Sequence, residues 1–232
     1  MRSGPSRAVK LQPVRTAPAA GGTRKGEETR QRILDAALKV FGTAGLKGAT
    51  TRQIAEEAGV ALPALAYYFG GKDGLYLACA QEIVDRYGRH MLALLSGVRA
   101  SLKAPMSAAS ARARLKEVLW ALVDLQIANR EADIWMSFVL REIAEQGPAF
   151  DILFKHLWAP GVDITAELIG RIVGERSTSP AAKIQALLLI SSLSAFSIAR
   201  PIALRYLDWP DTGDARLARI KSAIGAQVER IA

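Results

Sequence analysis

The sequence predicts an all-α protein, and three observations carry that expectation. Beyond residue 26 nearly every segment repeats its apolar residues at helical spacing, where strands would alternate them. No run of β-branched residues is bounded by hairpin turn signals. Hydrophobic residues make up 50% of the 232-residue chain and charged ones 23%, ample material for a core, which excludes disorder along the whole length.

The elements follow in order. Residues 1–26 contain Pro5, Pro13 and Pro18 and six basic residues (Arg2, Arg7, Lys10, Arg15, Arg24, Lys25) without a single acid, the composition of a flexible basic arm. Ile33, Leu34, Ala37, Leu38 and Phe41 then share one helical face, ended by Gly45, whose missing Cβ suits a left-handed cap. Short helices are expected at about 51–58 and 62–68. Longer ones follow at roughly 73–102, 108–128, 131–146, 149–156, 161–175, 181–207 and 213–231, separated by Pro105, Gly147-Pro148, Pro160-Gly161, Ser177 to Pro180 and Pro210. The longest uncharged apolar stretch, Ile184 to Ala199, is shorter than the ~20 residues of a membrane span and interrupted by serines, so it is read as a buried helix. These elements group into an arm (1–26), a compact head (27–72) and a larger helical body (73–232).

Charge and composition narrow the function. The chain carries a net charge of +9, which suggests an anionic partner such as nucleic acid. Two-thirds of that excess lies in the arm, because the six acids between Glu27 and Cys79 balance the six bases there. Cys79 is the only cysteine, and neither it nor His90 nor His156 has a second ligand at metal spacing. No disulfide framework, metal site or cofactor is expected, and a reducing cytoplasmic home follows. The N-terminus lacks the apolar run of a signal peptide. The body shows no glycine-rich phosphate loop and no nucleophile–base pattern, so a binding protein is expected rather than an enzyme.

The informative stretch runs from Ala49 to Ala80. Thr50 can cap a helix, with Gln53 three residues later reaching back to its N–H. Counting Thr51 as position one, a small residue stands at five (Ala55), glycine at nine (Gly59) and an apolar residue at fifteen (Leu65), the helix-turn-helix pattern. The spacing has a steric reason. The second helix crosses closely at Ala55, and the linking turn needs positive φ at Gly59. An ordinary helical hairpin meets the same requirements, but Tyr67-Tyr68-Phe69 followed by Lys72 adds two phenols and an ammonium suited to phosphate contact.

Taken together, a first helix ending Phe41-x-x-x-Gly45, then Thr50-x-x-x-Ile54-Ala55-x-x-Ala58-Gly59-Val60, then Leu65-x-Tyr67-Tyr68-Phe69-x-x-Lys72-x-x-Leu75, resembles the TetR family of bacterial transcriptional regulators. The run Tyr67 to Gln81 looks like its CecR-type subgroup, as does Trp135 to Glu142 less specifically. The resemblance implies that Thr50 and Thr51 contact phosphates and that Arg52 reaches phosphate or a base edge. It places the helix from Ala61 to Tyr68 in the major groove, with Ala61, Leu62, Pro63 and Ala64 at its reading end, and has Tyr67, Tyr68 and Lys72 clamp the backbone. Where the family commonly has Lys, Gly, Thr and Tyr, this chain has Leu62, Pro63, Ala64 and Ala66, so few side-chain donors face the bases. Specificity then leans on Arg52, thymine methyls, backbone groups, water or DNA shape. Tyr67 and Phe69 have an alternative role in packing against the first helix.

The resemblance further implies a body that binds a small-molecule effector and dimerises through its last two long helices. The aromatic residues Trp120, Trp135, Phe138, Phe154 and Trp158, with Arg141 as a polar partner, are the pocket candidates, although the same spacing serves a plain core. Homodimerisation is expected through about 180–207 and 212–231, the last helix placing Leu217, Ile220, Ile224, Val228 and Ile231 on one face. The expected function is a homodimeric repressor released from a palindromic double-stranded operator by a small molecule, with no membrane partner. An architectural or non-ligand-responsive DNA-binding protein is the alternative.

Overall fold

The computed structural model describes residues 24–129, 131–175 and 179–232, so most of the basic arm lies outside the described residues. Helix α1, Arg24–Gly48, already includes the last three residues assigned to that arm, with Arg24 paired to Glu28 one turn on. The chain divides into two compact units, Met1–Ala78 and Cys79–Ala232.

In the first unit the predicted face of α1 is the core: Ile33, Leu34, Ala37, Leu38 and Phe41 are all fully buried. Gly45 takes φ 71° and ψ 176°, which kinks α1 where its regular course was expected to end. Helix α2 (Thr51–Ala58) buries Ile54, Ala55 and Ala58, and α3 (Pro63–Phe69) is pinned by buried Leu65. Helix α4, Lys72–Leu102, opens with Leu75 and Tyr76, both buried, and the Tyr76 ring meets Phe41 edge-on at 4.8 Å. An aromatic pair in that geometry stabilises by about 0.5–1.5 kcal/mol beyond the area it buries.

The second unit is wholly helical among its described residues. Helix α5 (Ala108–Val123) runs on into a π-helical turn at Asp124–Ala128; α6 spans Glu131–Glu145 and α7 Phe150–Leu153. A second π turn, Phe154–Trp158, leads into α8 (Ala159–Val173), followed by α9 (Pro180–Ser191), α10 (Arg200–Tyr206) and α11 (Asp214–Glu229). The core forms where α8 packs on α5 and α9 while α11 packs on α5, burying Leu115, Leu119, Leu168, Ile169, Ala186 and Ile224 among others.

One expectation for this unit is corrected. The segment 181–207 is not one helix: α9 gives way to a 3-10 turn at Ser192–Ala195, and α10 sets off at 70° to what precedes it. Ser192 and Ser197 donate their hydroxyls to the Leu189 and Leu193 carbonyls, and Pro201 in the first turn of α10 has no N–H to continue a helix through it. In the single chain Ile184, Leu187 and Leu188 are exposed while Ala186 and Leu189 face the core. No single described helix is long and apolar enough to cross a membrane.

The apolar row of α11 is covered within its own unit. Ile220, Ile224, Val228 and Ile231 are buried in their own unit, and Leu217 packs partly buried against them. Polar ties hold α11 there: Lys116 to Glu229 at 2.6 Å, Lys221 to Asp124 at 2.6 Å, and the Arg112 guanidinium donating to the Ile231 carbonyl at 2.7 Å. The Lys116 ammonium also draws the Glu229 carboxyl below its usual range.

Candidate nucleic-acid interface

The exposed end of the first unit is built from a capped helix, a tight turn and a short second helix. Thr50 Oγ1 accepts from Gln53 N–H at 3.2 Å, and Thr50 N–H donates to Gln53 Oε1 at 2.9 Å, the reciprocal box read in the sequence. At the other end of α2, Gly59 adopts φ 63° and ψ 42°, and the Val60 N–H donates to the Ala55 carbonyl at 3.0 Å. A left-handed residue there satisfies the last carbonyls of α2 and reverses the chain within four residues of α3. Leu65 and Ala55 lie in the core, so α3 is fixed by its inner side and shows its outer side to solvent.

That outer side carries most of the residues singled out from sequence. Ala61, Leu62, Pro63 and Tyr67 are exposed, Tyr67 to 81%, while Ala64 and Tyr68 are half-buried. The Tyr67 and Tyr68 rings meet edge-on, their centroids 5.1 Å apart. Thr50 and Arg52 are exposed at the start of α2, with Thr51 half-buried between them. Lys72 is half-buried, and its ammonium donates to the Ala49 carbonyl at 3.0 Å, tying the first residue of α4 to the entrance of α2. The remaining two protons of that ammonium are chemically able to meet a phosphate. Phe69 takes the packing role: it is half-buried, with the Arg30 guanidinium of α1 5.6 Å above its ring.

Residues the sequence did not reveal also shape the site. The tie from Lys72 to Ala49 and the Arg30–Phe69 contact join positions 23 and 39 residues apart, and no local spacing signals them. Gly74 is a third, because a Cβ there would overlap the Phe69 carbonyl oxygen and lie 3.3 Å from its carbon. The carbonyl end of α3 thus sits directly on the first turn of α4.

The pocket candidates of the body are scattered among different surroundings. Trp135 and Phe138 are buried in α6, and Arg141 pairs with Glu145 at 2.7 Å. Phe154 and Trp158 meet through Phe150, at 6.2 Å and 5.4 Å from its ring, with Phe154 half exposed. Trp120 is turned to α11, its indole N–H donating to the Lys221 carbonyl at 2.9 Å. An open groove of about 550 Å³ lies elsewhere, lined by His90, Ala121, Asp124, Leu125, Ala128 and Asn129 beside the first π turn. His90, given no role in sequence, faces the Asn129 amide there at 3.4 Å. Tyr87, one turn before the groove on the N-terminal side, has its phenol pushed up to about 12 by burial.

A capped helix, a glycine turn and an exposed short helix, in a chain whose second unit is helical, define a helix-turn-helix DNA-binding regulator. Residues 33–79 match the family model of bacterial regulatory proteins of the tetR family, and residues 111–232 match the C-terminal domain of the HTH-type transcriptional dual regulator CecR. The chain belongs to the TetR family of transcriptional regulators, with a CecR-type C-terminal domain. The CecR protein of Shigella flexneri is 26% identical over 212 residues, spanning 90% of this chain and 93% of that protein. The transcriptional regulator BetI of Brucella suis is 43% identical over 72 residues, 31% of this chain and 36% of BetI, a likeness limited to part of each protein. Among solved structures, a TetR-like regulator from Rhodococcus sp. RHA1 aligns with a TM-score of 0.56 at 21% identity, over 87% of this chain and 94% of that one. The regulator FadR of Bacillus subtilis, solved with stearoyl-CoA, aligns at 0.51 and 16% identity over 88% and 99%. These two share the fold.

Proposed function

We propose that this chain is a homodimeric repressor that binds a near-palindromic operator through α2 and α3 of each copy and is released by a small molecule bound in its helical body. The observation that carries this reading is the exposed face of α3, held on its inner side by Leu65 and entered through the capped helix α2. One such helix reads only a few base pairs, so selection of a genomic site needs two, one helical turn or ~34 Å apart. A ligand that favours a different spacing releases the DNA by differential affinity for the two states. The reading makes the protein a cytoplasmic binding protein and not an enzyme.

The partner surface is the apolar side of α9 and α10. Ile184, Leu187, Leu188, Ile198, Ile202 and Tyr206 are exposed there, Leu188 to 68% and Ile202 to 72%, a density of large apolar side chains that favours burial against a second copy. The outward positions of α11, among them Ala218, Ser222 and Ala226, are small enough to allow close approach beside them. For the effector, the groove at His90, Asp124 and Asn129 has the volume of a small-molecule site and three polar groups to orient a ligand.

Within the head, Thr50, Thr51, Tyr67, Tyr68 and Lys72 contact phosphates and Arg52 reaches a base edge. Lys72→Ala is expected to weaken binding to all duplexes alike and to lower the salt slope by about 1 per protomer, whereas Arg52→Ala relaxes base choice at one position by about 1–3 kcal/mol. Titration of duplexes at several salt concentrations measures both, and unchanged affinity in both variants would overturn the assignment. Genomic footprinting tests the function itself. One protected near-palindrome per promoter is the expected result; uniform protection supports the architectural alternative.

A further inference from the structure

Helix α3 is unusual chemically for an element expected to read base edges. From Ala61 to Phe69 the chain has no basic, acidic, amide or aliphatic-hydroxyl side chain, and the phenols of Tyr67 and Tyr68 are its only side-chain donors. Both belong to the C-terminal half of α3. At the N-terminal end stand Ala61, Leu62 and Pro63, all exposed, with Leu62 showing 45% of its surface. The first turn of α3 itself offers few free backbone donors. Pro63 has no N–H, Leu62 makes no side-chain cap, and the Ala64 and Leu65 N–H groups already donate to the Ala61 and Leu62 carbonyls at 2.9 and 3.2 Å.

In the major groove, guanine offers two acceptors, cytosine a donor and adenine one of each, while thymine alone adds a methyl group. An apolar side chain pressed on a polar base edge strips its water and returns no hydrogen bond, which is unfavourable. The same side chain pressed on a thymine methyl buries apolar surface on both partners. We infer that α3 selects thymine through its 5-methyl group, with Leu62 the specificity-determining side chain and Ala61, Pro63 and Ala66 completing an apolar reading edge. The inference rests on the operator-binding function proposed above and adds the chemistry by which that site chooses its sequence. Among the residues of α2 and α3, Arg52 is then the guanidinium left for a polar base edge.

Selection from a random duplex library, followed by base replacement in the enriched site, tests this. Deoxyuridine pairs as thymidine does and lacks only the methyl. At one or two positions in each half-site, thymine to uracil should weaken binding about three- to fourfold per methyl, roughly tenfold when both half-sites are changed together. Cytosine at such a position should bind less well than 5-methylcytosine. Leu62→Ala, at an exposed position that leaves the core intact, should shrink the uracil penalty below about twofold, and Leu62→Gln should shift preference toward adenine. A selected site whose affinity is unchanged by uracil at every position would overturn the inference while leaving the regulator in place. A library that yields no enriched sequence would overturn both.

Discussion

Gly74→Ala is expected to destabilise the first unit by about 1–3 kcal/mol, the range for atoms forced into a filled space. The cause is backbone against backbone: the added Cβ overlaps the Phe69 carbonyl, which closes α3, and neither group has a rotamer by which to escape. Relief requires α3 to move away from α4, and α3 carries Leu62, Tyr67 and Tyr68. If each half-site gives up ~1 kcal/mol, the lower end for a base contact, operator affinity falls roughly thirtyfold. Urea unfolding and anisotropy of a labelled duplex read the two effects separately. Gly88→Ala is the control, since nothing lies within 4 Å of a Cβ at that position in α4, and alanine there should be neutral or stabilising by up to ~1 kcal/mol. Wild-type stability and affinity in Gly74→Ala would show that the α3–α4 approach is looser than described.

Leu188→Asp and Ile202→Asp are expected to dissociate the proposed dimer. A two-fold interface repeats every substitution, so each change buries two carboxylates in place of two apolar groups that contribute about 1.5–3 kcal/mol apiece when fully covered. Both positions are exposed in the single chain, so folding should survive. Sedimentation should give 25.0 kDa where the parent gives twice that mass. Operator affinity should drop by about 10²–10⁴, the advantage lost when the second recognition helix is no longer tethered to the first. Leu92→Asp supplies the comparison, because Leu92 is equally exposed, at 66%, but stands on α4 away from the proposed surface. A dimer that persists through both substitutions would move the interface off α9 and α10.

What was legible in the sequence was local. Thr50 and Gln53 cap α2 through neighbours three residues apart, Gly59 turns left-handed because it has no Cβ to oppose that conformation, and the α1 face from Ile33 to Phe41 is a periodicity of one helix. Each depends on atoms within a few residues, so residue type and spacing suffice. Pro105 and Gly147-Pro148 likewise fall between helices, whereas Pro160 and Gly161, expected to separate two helices, stand in the first turn of α8, where a missing N–H costs no hydrogen bond. Local logic also failed at Ser192 to Pro201 because apolar composition outweighed the serines and the proline, whose effect on the backbone is what bends the chain.

The destination of each apolar surface was a different matter. Periodicity showed that α11 has a hydrophobic row but not that α5 of the same chain covers it, and within 180–207 it did not say which apolar residues the chain would leave exposed. Burial is non-directional, and any apolar face satisfies any other. The placement of Trp120 on the Lys221 carbonyl, of Lys72 on that of Ala49 and of Gly74 under that of Phe69 likewise joins groups by where the chain returns in space. By itself, then, the sequence determined most of the helices and the caps and turn of α2, since those follow from short-range sterics and hydrogen bonding. Only the tertiary structure decided which apolar residues the chain covers itself and how tightly α3 is held, because both are set by contacts between distant residues.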